Sequence, residues 1–254
     1  MPDGAVARAA SVVQAARRLV VLTGAGISTD SGIQDFRGPN GLWTKNPEAE
    51  KRANLHYYVS DPEVRRGSWR ARLDAPLFRA EPNRGHRAIA ERARRHGLHA
   101  LITQNVDGLH QAAGLEPWKV IEVHGTAHEW RCLECETGGP IQEALDRVRA
   151  GEDDPSCPAC DGIIKTATIS FGQGLVPEVI DRAYQVSTEC DVLLAVGTKL
   201  SVYPVAGCVP EAKRSGAAVV ILNADETDMD DLADEVVRGS ISDLLPDLLG
   251  VDVR

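Results

Sequence analysis

The chain has 254 residues, 43% hydrophobic and 26% charged, a composition that excludes a disordered or fibrous protein. Twenty-eight basic against 37 acidic side chains leave a formal charge of −9, which counts against a protein that neutralises nucleic-acid phosphates. No apolar run approaches the roughly 20 residues of a membrane span, and the first 18 residues hold no apolar stretch of signal-peptide length, so a cytoplasmic protein with neither nucleic-acid nor membrane partners is expected.

Residues 5–18 alternate Ala and Val with Arg and Gln, which predicts an amphipathic helix. Leu19–Thr23 is an apolar run of strand length that ends in Gly24-Ala25-Gly26, the strand-and-turn opening of a nucleotide-binding βα unit. Residues 40–80 break the pattern: they are Arg-rich, carry Pro47, Pro62 and Pro76, and read as a helical insertion. Helical spacing returns at 85–96, and apolar runs at 98–103 and 120–123 predict strands. Residues 128–166 hold two cysteine pairs around a helix at 141–150. Beyond them a helix at 177–188, a strand at 191–196, a helix at 203–215 and a strand at 217–222 restore the alternation. Buried strands alternating with helices argue for an α/β fold: a Rossmann-like parallel sheet with helices on both faces. The expected domains are a large one from 1–39, 81–127 and 167–254, a helical insertion at 40–80, and a small module at 128–166.

Four constellations carry chemistry. Gly24, Ala25, Gly26 and Ile27 follow the first strand, where backbone N–H groups and a helix N-terminus can meet phosphates. Asp35-Phe36-Arg37 continues that segment with an acid, an aromatic and a cation that can fold over a dinucleotide. Gln104, Asn105 and Asp107 lie at a strand's carboxyl end, where open α/β sheets bind ligands and where such side chains can bond ribose hydroxyls and a carboxamide. His124 ends the next strand and has a near-neutral pKa suited to a general base; the other six histidines read as structural. Cys132-x-x-Cys135 and, 21 residues on, Cys157-x-x-Cys160 match tetrahedral zinc with no open position, hence a structural metal. Cys190 and Cys208 read as small buried residues.

In this order the motifs resemble the sirtuins: Gly-Ala-Gly-Ile-Ser then Asp-Phe-Arg, Thr-Gln-Asn-Val-Asp-Gly-Leu-His from Thr103, His124-Gly125, the cysteine pairs, Phe171-Gly172, Gly197-Thr198 with Val202-Tyr203-Pro204, Leu222-Asn223, and Gly239-Ser240. The resemblance implies a Rossmann-type domain and a zinc-ribbon module with a cleft between them, entered from opposite sides by NAD and an acyl-lysine protein substrate. It assigns catalysis to His124, Asn105 and Asp107. Cofactor contacts fall to Gly24, Ala25, Gly26, Ile27, Asp35, Phe36, Arg37, Trp43, Gln104, Asn105, Asp107, Gly197, Thr198, Lys199, Asn223 and Ile241. In the implied reaction NAD is consumed: the acyl oxygen attacks the nicotinamide ribose, His124 takes a proton from a ribose hydroxyl, and the acyl group leaves on ADP-ribose. ADP-ribosyl transfer and NAD hydrolysis are the alternatives, and a monomer or weak oligomer is expected.

Three positions depart from the family pattern. Gln34 replaces Pro, Gln173 replaces Glu, and Lys199 replaces a small serine, placing a cation near the expected phosphates. Substrate contacts fall to Ala53, Trp69, Arg72, Phe171, Gly172 and Val202. Sirtuins that remove succinyl or malonyl groups resemble one another in a small Ala followed sixteen residues later by Tyr-x-x-Arg. The matching positions here are Ala53, Trp69 and Arg72, so an arginine stands ready for a distal carboxylate while the phenol is replaced by an indole. Acetyl and acidic acyl groups are both expected substrates.

Overall fold

The computed structural model describes residues 4–35 and 47–253. Phe36, Arg37 and Trp43 lie outside the described residues. The elements in chain order are α1 (Gly4–Gln14), β1 (Leu19–Thr23), α2 (Pro47–Arg52), α3 (Leu55–Ser60), α4 (Pro62–Leu73), α5 (Arg84–His96), β2 (Ala100–Thr103) and α6 (Leu109–Ala112). They continue with β3 (Val120–Glu122), β4 (Gly125–Cys132), β5 (Gly138–Pro140), α7 (Ile141–Arg149), β6 (Ile164–Thr168) and α8 (Pro177–Glu189). The last are β7 (Val192–Val196), α9 (Cys208–Arg214), β8 (Ala218–Leu222), β9 (Glu235–Val237) and α10 (Ile241–Leu249).

Six parallel strands form the large sheet in the order β3-β2-β1-β7-β8-β9. Its central strands are apolar until the threonines that end β1 and β2, because both faces are covered. Leu19 and Val21 pack with Val6, Ala9 and Val13 of α1, Ile89 of α5 and Leu245 and Leu248 of α10. Val20 and Leu22, one residue out of step, pack on the opposite face with Ala183 and Val186 of α8 and Val209 and Ala212 of α9. The two-residue period of a strand thus assigns one run to two cores. The chain runs outward from β1 through β2 and β3, then returns to β7 beside β1 and runs outward again to β9. This places a topological switch point between the carboxyl ends of β1 and β7.

A second, antiparallel sheet in the order β5-β4-β6 carries the cysteines. Its core joins Trp130, Cys132, Cys157 and Ile164 with Ile141, Ala144, Leu145 and Val148 of α7, and Trp69 of α4 is buried among them. The helical insertion and the cysteine module therefore share one core. Two ion pairs tie α4 to the loop before Cys157, Arg65 to Asp154 at 2.9 Å and Arg70 to Asp153 at 3.0 Å. Among the described residues no helix is long and apolar enough to cross a membrane.

Candidate active site

At the switch point the loops after β1 and β7 touch. Gly24 N–H donates to the Val196 carbonyl at 3.1 Å, Gly26 N–H to the Gly197 carbonyl at 2.9 Å, and Ile27 N–H to the Gly24 carbonyl at 3.2 Å. A Cβ on Gly26 would stand 2.8 Å from Gly197 Cα, and one on Gly197, at φ +63°, would stand 2.5 Å from Ile27 N. These glycines permit contact between two loops. The Gly24 and Gly26 N–H groups thus bond to β7 and its loop, and Ile27 N–H closes the turn back on Gly24.

Deeper in the cleft, three segments meet. Ser28 Oγ donates to Asp107 Oδ2 at 2.7 Å, and Leu109 N–H donates to Asp107 Oδ1 at 3.0 Å. The Asn105 amide donates to the Gly24 carbonyl and to Ser28 Oγ, each at 3.1 Å. Both Asn105 hydrogens are thereby used, so its Oδ1 is the atom presented onward. Gln104 Nε2 donates to Thr198 Oγ1 at 3.0 Å, linking the loops after β2 and β7. Beneath this layer, His86 Nε2 lies 3.4 Å from Ser28 Oγ and His110 Nε2 lies 3.1 Å from Thr23 Oγ1. Burial pushes His86 down to about 4, against the pull of Asp107, and drives His110 well below the usual imidazole range, helped by His86. At neutral pH both are uncharged hydrogen-bonding groups.

His124 is half-buried, with Nδ1 3.0 Å from the Gln104 carbonyl. A carbonyl only accepts, so Nδ1 carries the hydrogen and Nε2 keeps its lone pair. Burial lowers the pKa, with the Gln104 carbonyl acting in the opposite sense. His124 is therefore a neutral base of fixed tautomer. Its own carbonyl accepts from Ile169 N–H at 2.8 Å, which ties it to the end of β6.

Several expected cofactor positions serve other partners. Lys199 forms an ion pair with Asp225 at 2.9 Å, so its charge is answered by a carboxylate beside Asn223. Asn223 Nδ2 donates to the Asp225 carbonyl at 2.9 Å. Ile241 is buried in the core, where a Cβ on Gly85 would touch both its Cγ2 and Ile27 Cγ1 at 3.3 Å. Asp35 is half-buried at the edge of the described residues.

The insertion docks on the segment after β6. Phe171 N–H donates to the Ala53 carbonyl at 2.8 Å, and Leu55 N–H donates to the Phe171 carbonyl at 2.9 Å. This brings Ala53 beside Phe171-Gly172, with Phe171 and Tyr203 exposed and Val202 half-buried. Arg72 Nη1 donates to its own helix at the Ser68 carbonyl, and Nη2 donates to Thr166 Oγ1 on β6, both at 2.9 Å. The guanidinium lies 5.7 Å from the Trp69 ring. Trp69 is wholly enclosed, with its indole close to the Tyr58 hydroxyl. Trp69 is thus first a core residue, because α4 turns its apolar face into the cysteine module.

The four cysteine sulfurs lie within 4.8 Å of one another. Cys132 to Cys160 and Cys135 to Cys157 are each 3.6 Å. Zinc bonded to sulfur at about 2.3 Å in a tetrahedron sets neighbouring sulfurs roughly 3.8 Å apart, so this donor set fits one zinc ion. Cys190 and Cys208 are buried, and burial raises both thiols to about 11.

Three residues without an assigned role emerge from the geometry. Ser28 lies in the glycine segment, but nothing local signals that it meets Asp107, 79 positions away. Tyr58 and Lys165 surround Arg72, and their proximity depends on how α3, α4 and β6 pack.

The Sir2 family model matches residues 24–204. The chain is 51% identical over 231 residues to NAD-dependent protein deacetylase 2 of Streptomyces coelicolor, covering 91% of this chain and 96% of that protein. It is 42% identical to NAD-dependent protein deacetylase 1 of Bradyrhizobium diazoefficiens, covering 96% and 95%. A Sir2 structure with deacetylated p53 peptide and 3′-O-acetyl ADP-ribose superposes with a TM-score of 0.87 at 32% identity, covering 96% of this chain and 97% of that one.

Proposed function

Because the chain belongs to the Sir2 family, we propose that it is an NAD-dependent protein-lysine deacylase acting on acetyl-lysine and on acyl groups that end in a carboxylate. The observation that carries the deacylase reading is the tautomer of His124, a base held by the Gln104 carbonyl next to the Ser28–Asn105–Asp107 network.

Bound NAD supplies a ribose carbon that becomes electrophilic as nicotinamide departs. The chain's own groups supply position and proton transfer. Asn105 Oδ1 and the remaining lone pairs of Asp107 accept from amide and hydroxyl donors, and Ser28 keeps the carboxylate oriented. His124 Nε2 accepts a hydroxyl proton, and the Gln104 carbonyl on Nδ1–H stabilises the imidazolium that forms. The enclosed floor made by Thr23, Thr103, His86 and His110 keeps water away from the reacting atoms.

The acidic-acyl half of the reading rests on Arg72. It is half-buried, its bonds go to a carbonyl and a hydroxyl, and among the described residues it has no carboxylate partner. A desolvated guanidinium in that state favours an incoming carboxylate. The test is mass spectrometry of matched acetyl-, succinyl- and crotonyl-lysine peptides incubated with NAD. Acetyl and succinyl loss, each matched by one nicotinamide released, is the expected result. ADP-ribose on protein, or free ADP-ribose without deacylation, would replace this reading with ADP-ribosyl transfer or NAD hydrolysis.

A further inference from the structure

We propose that Lys165 is a specificity-determining residue: an ammonium without a counter-charge that acts with Arg72 to hold the distal carboxylate of an acidic acyl group. The inference rests on the acidic-acyl reading above and names a second cation for it.

Thr166 on β6 connects the two cations. Arg72 Nη2 donates to its hydroxyl at 2.9 Å, and Lys165 Nζ donates to its carbonyl at 3.0 Å. The other acceptors of Lys165 are the Thr168 carbonyl and Gln173 Oε1, the latter at 3.5 Å. All are neutral, and no carboxylate pairs with Lys165 or Arg72 among the described residues. Yet Lys165 is only 3% exposed. Burial, with the positive field of Arg72 added, pushes its ammonium down to about 7. Among the described residues, Asp154, whose field reaches the neighbouring Tyr58, is already paired with Arg65 at 2.9 Å. Arg52 from α2 contributes another positive field at Arg72, and Tyr58 from α3 is neutral, its titration raised by burial. Buried charge of one sign is relieved either by loss of the lysine proton or by an anion that answers it, and an incoming carboxylate is such an anion.

Gln173 is the position that keeps Lys165 uncompensated. Its Oε1 also accepts from Ser170 N–H at 3.1 Å, so the side chain is held where a glutamate would place a carboxylate against the ammonium. An amide there leaves the positive charge for a ligand. Ser68 Oγ, one turn before Arg72 on α4, is buried without a hydrogen-bond partner. Two cations bonded to one β6 residue suit a carboxylate, whereas an acetyl group brings no charge to them.

The experiment compares kcat/KM for succinyl-lysine and acetyl-lysine versions of one peptide, with NAD saturating, in the wild type, Lys165→Met, Lys165→Arg, Gln173→Glu and Arg72→Met. Lys165→Met is expected to lower the succinyl-to-acetyl ratio about 10-fold or more, chiefly through the succinyl KM, and Lys165→Arg to restore most of it. Gln173→Glu keeps the lysine but pairs it internally, and should lower the ratio in the same direction. It also serves as the test should Lys165→Met fail to fold. An unchanged ratio in Lys165→Met, or in Gln173→Glu, with Arg72→Met still lowering it, overturns the role of Lys165 and leaves the acidic-acyl reading intact. A wild type that removes acetyl but not succinyl overturns both.

Discussion

His124→Ala tests the mechanism most directly, because the structure separates the residue's chemical role from its structural one. The imidazole is half-buried, and its side-chain hydrogen bond goes to the Gln104 carbonyl at 3.0 Å. Losing that bond costs about 1 kcal/mol of stability, so the melting temperature should fall by roughly 2–4 °C for a chain of this size. The catalytic loss is far larger. A positioned general base contributes about 10²–10⁴ in rate, or roughly 3–5 kcal/mol of transition-state stabilisation. Deacetylation of an acetyl-lysine peptide, followed by mass spectrometry at saturating NAD, should drop by that factor while the far-ultraviolet dichroism is unchanged. The wild-type pH profile supplies a second arm. Burial lowers the His124 pKa, so the neutral form is already dominant at pH 7. Activity should be level above about 6.5, the ordinary imidazole value, and fall only on the acid side. Turnover of His124→Ala within tenfold of wild type, or an acid limb centred above 6.5, would refute the assignment of His124 as the base.

Other expectations follow from the same geometry. Arg72→Met should depress succinyl turnover more than acetyl turnover, by roughly 2–5 kcal/mol in transition-state terms; equal losses on both peptides would make Arg72 structural. Metal analysis of the purified protein should find about one zinc per chain, and Cys157→Ala should lose it together with the fold of the small module. Trp69→Ala, which empties a site in the core shared by α4 and the cysteine module, should cost about 3–5 kcal/mol in urea unfolding. His86 is held at about 4 in the fold against about 6.5 unfolded, so its stabilising contribution is present above 6.5 and is lost as pH falls through 4. Urea midpoints should fall across that window by an amount on the order of 3 kcal/mol, and a pH-independent midpoint would contradict the buried neutral state.

Much of the large domain was legible because strands covered on both faces cannot avoid being apolar at every position. Leu19–Leu22 and Val192–Val196 show this plainly, and strands lie over both runs. The cysteine tetrad was equally legible, since two Cys-x-x-Cys pairs leave few other chemical uses. The short strands β4 to β6 were not. Gly138–Pro140 has no strand composition of its own and exists through pairing with Glu129 to Arg131 on β4. The C-terminal helix Ile241–Leu249 was not recognised; it carries Pro246 inside it and packs Leu245 and Leu248 in the core. At the site, a residue's type showed but its partner did not. Lys199 reads as a cation for phosphates, and only the loop after β8 reveals that Asp225 answers it.

The parts of the site that sequence could not join are those held by the small module, and this bears on why a structural metal belongs here at all. Gly125 at the start of β4 pairs with Thr168 at the end of β6, and Ile169 N–H donates to the His124 carbonyl. Two residues earlier on β6, Thr166 accepts from Arg72. At the far end of the same strands, Cys132 on β4 pairs with Ile164 on β6. The path from the cysteines to His124 therefore runs along a single pair of strands, whose register shifts between Gly125 and Trp130, with Arg72 attached partway along it. On the reading proposed here, zinc fixes one end of those strands, to which the base and the acyl anchor are both attached. Zinc takes no part in the reaction, yet its loss should relax the placement of His124 and Arg72 together.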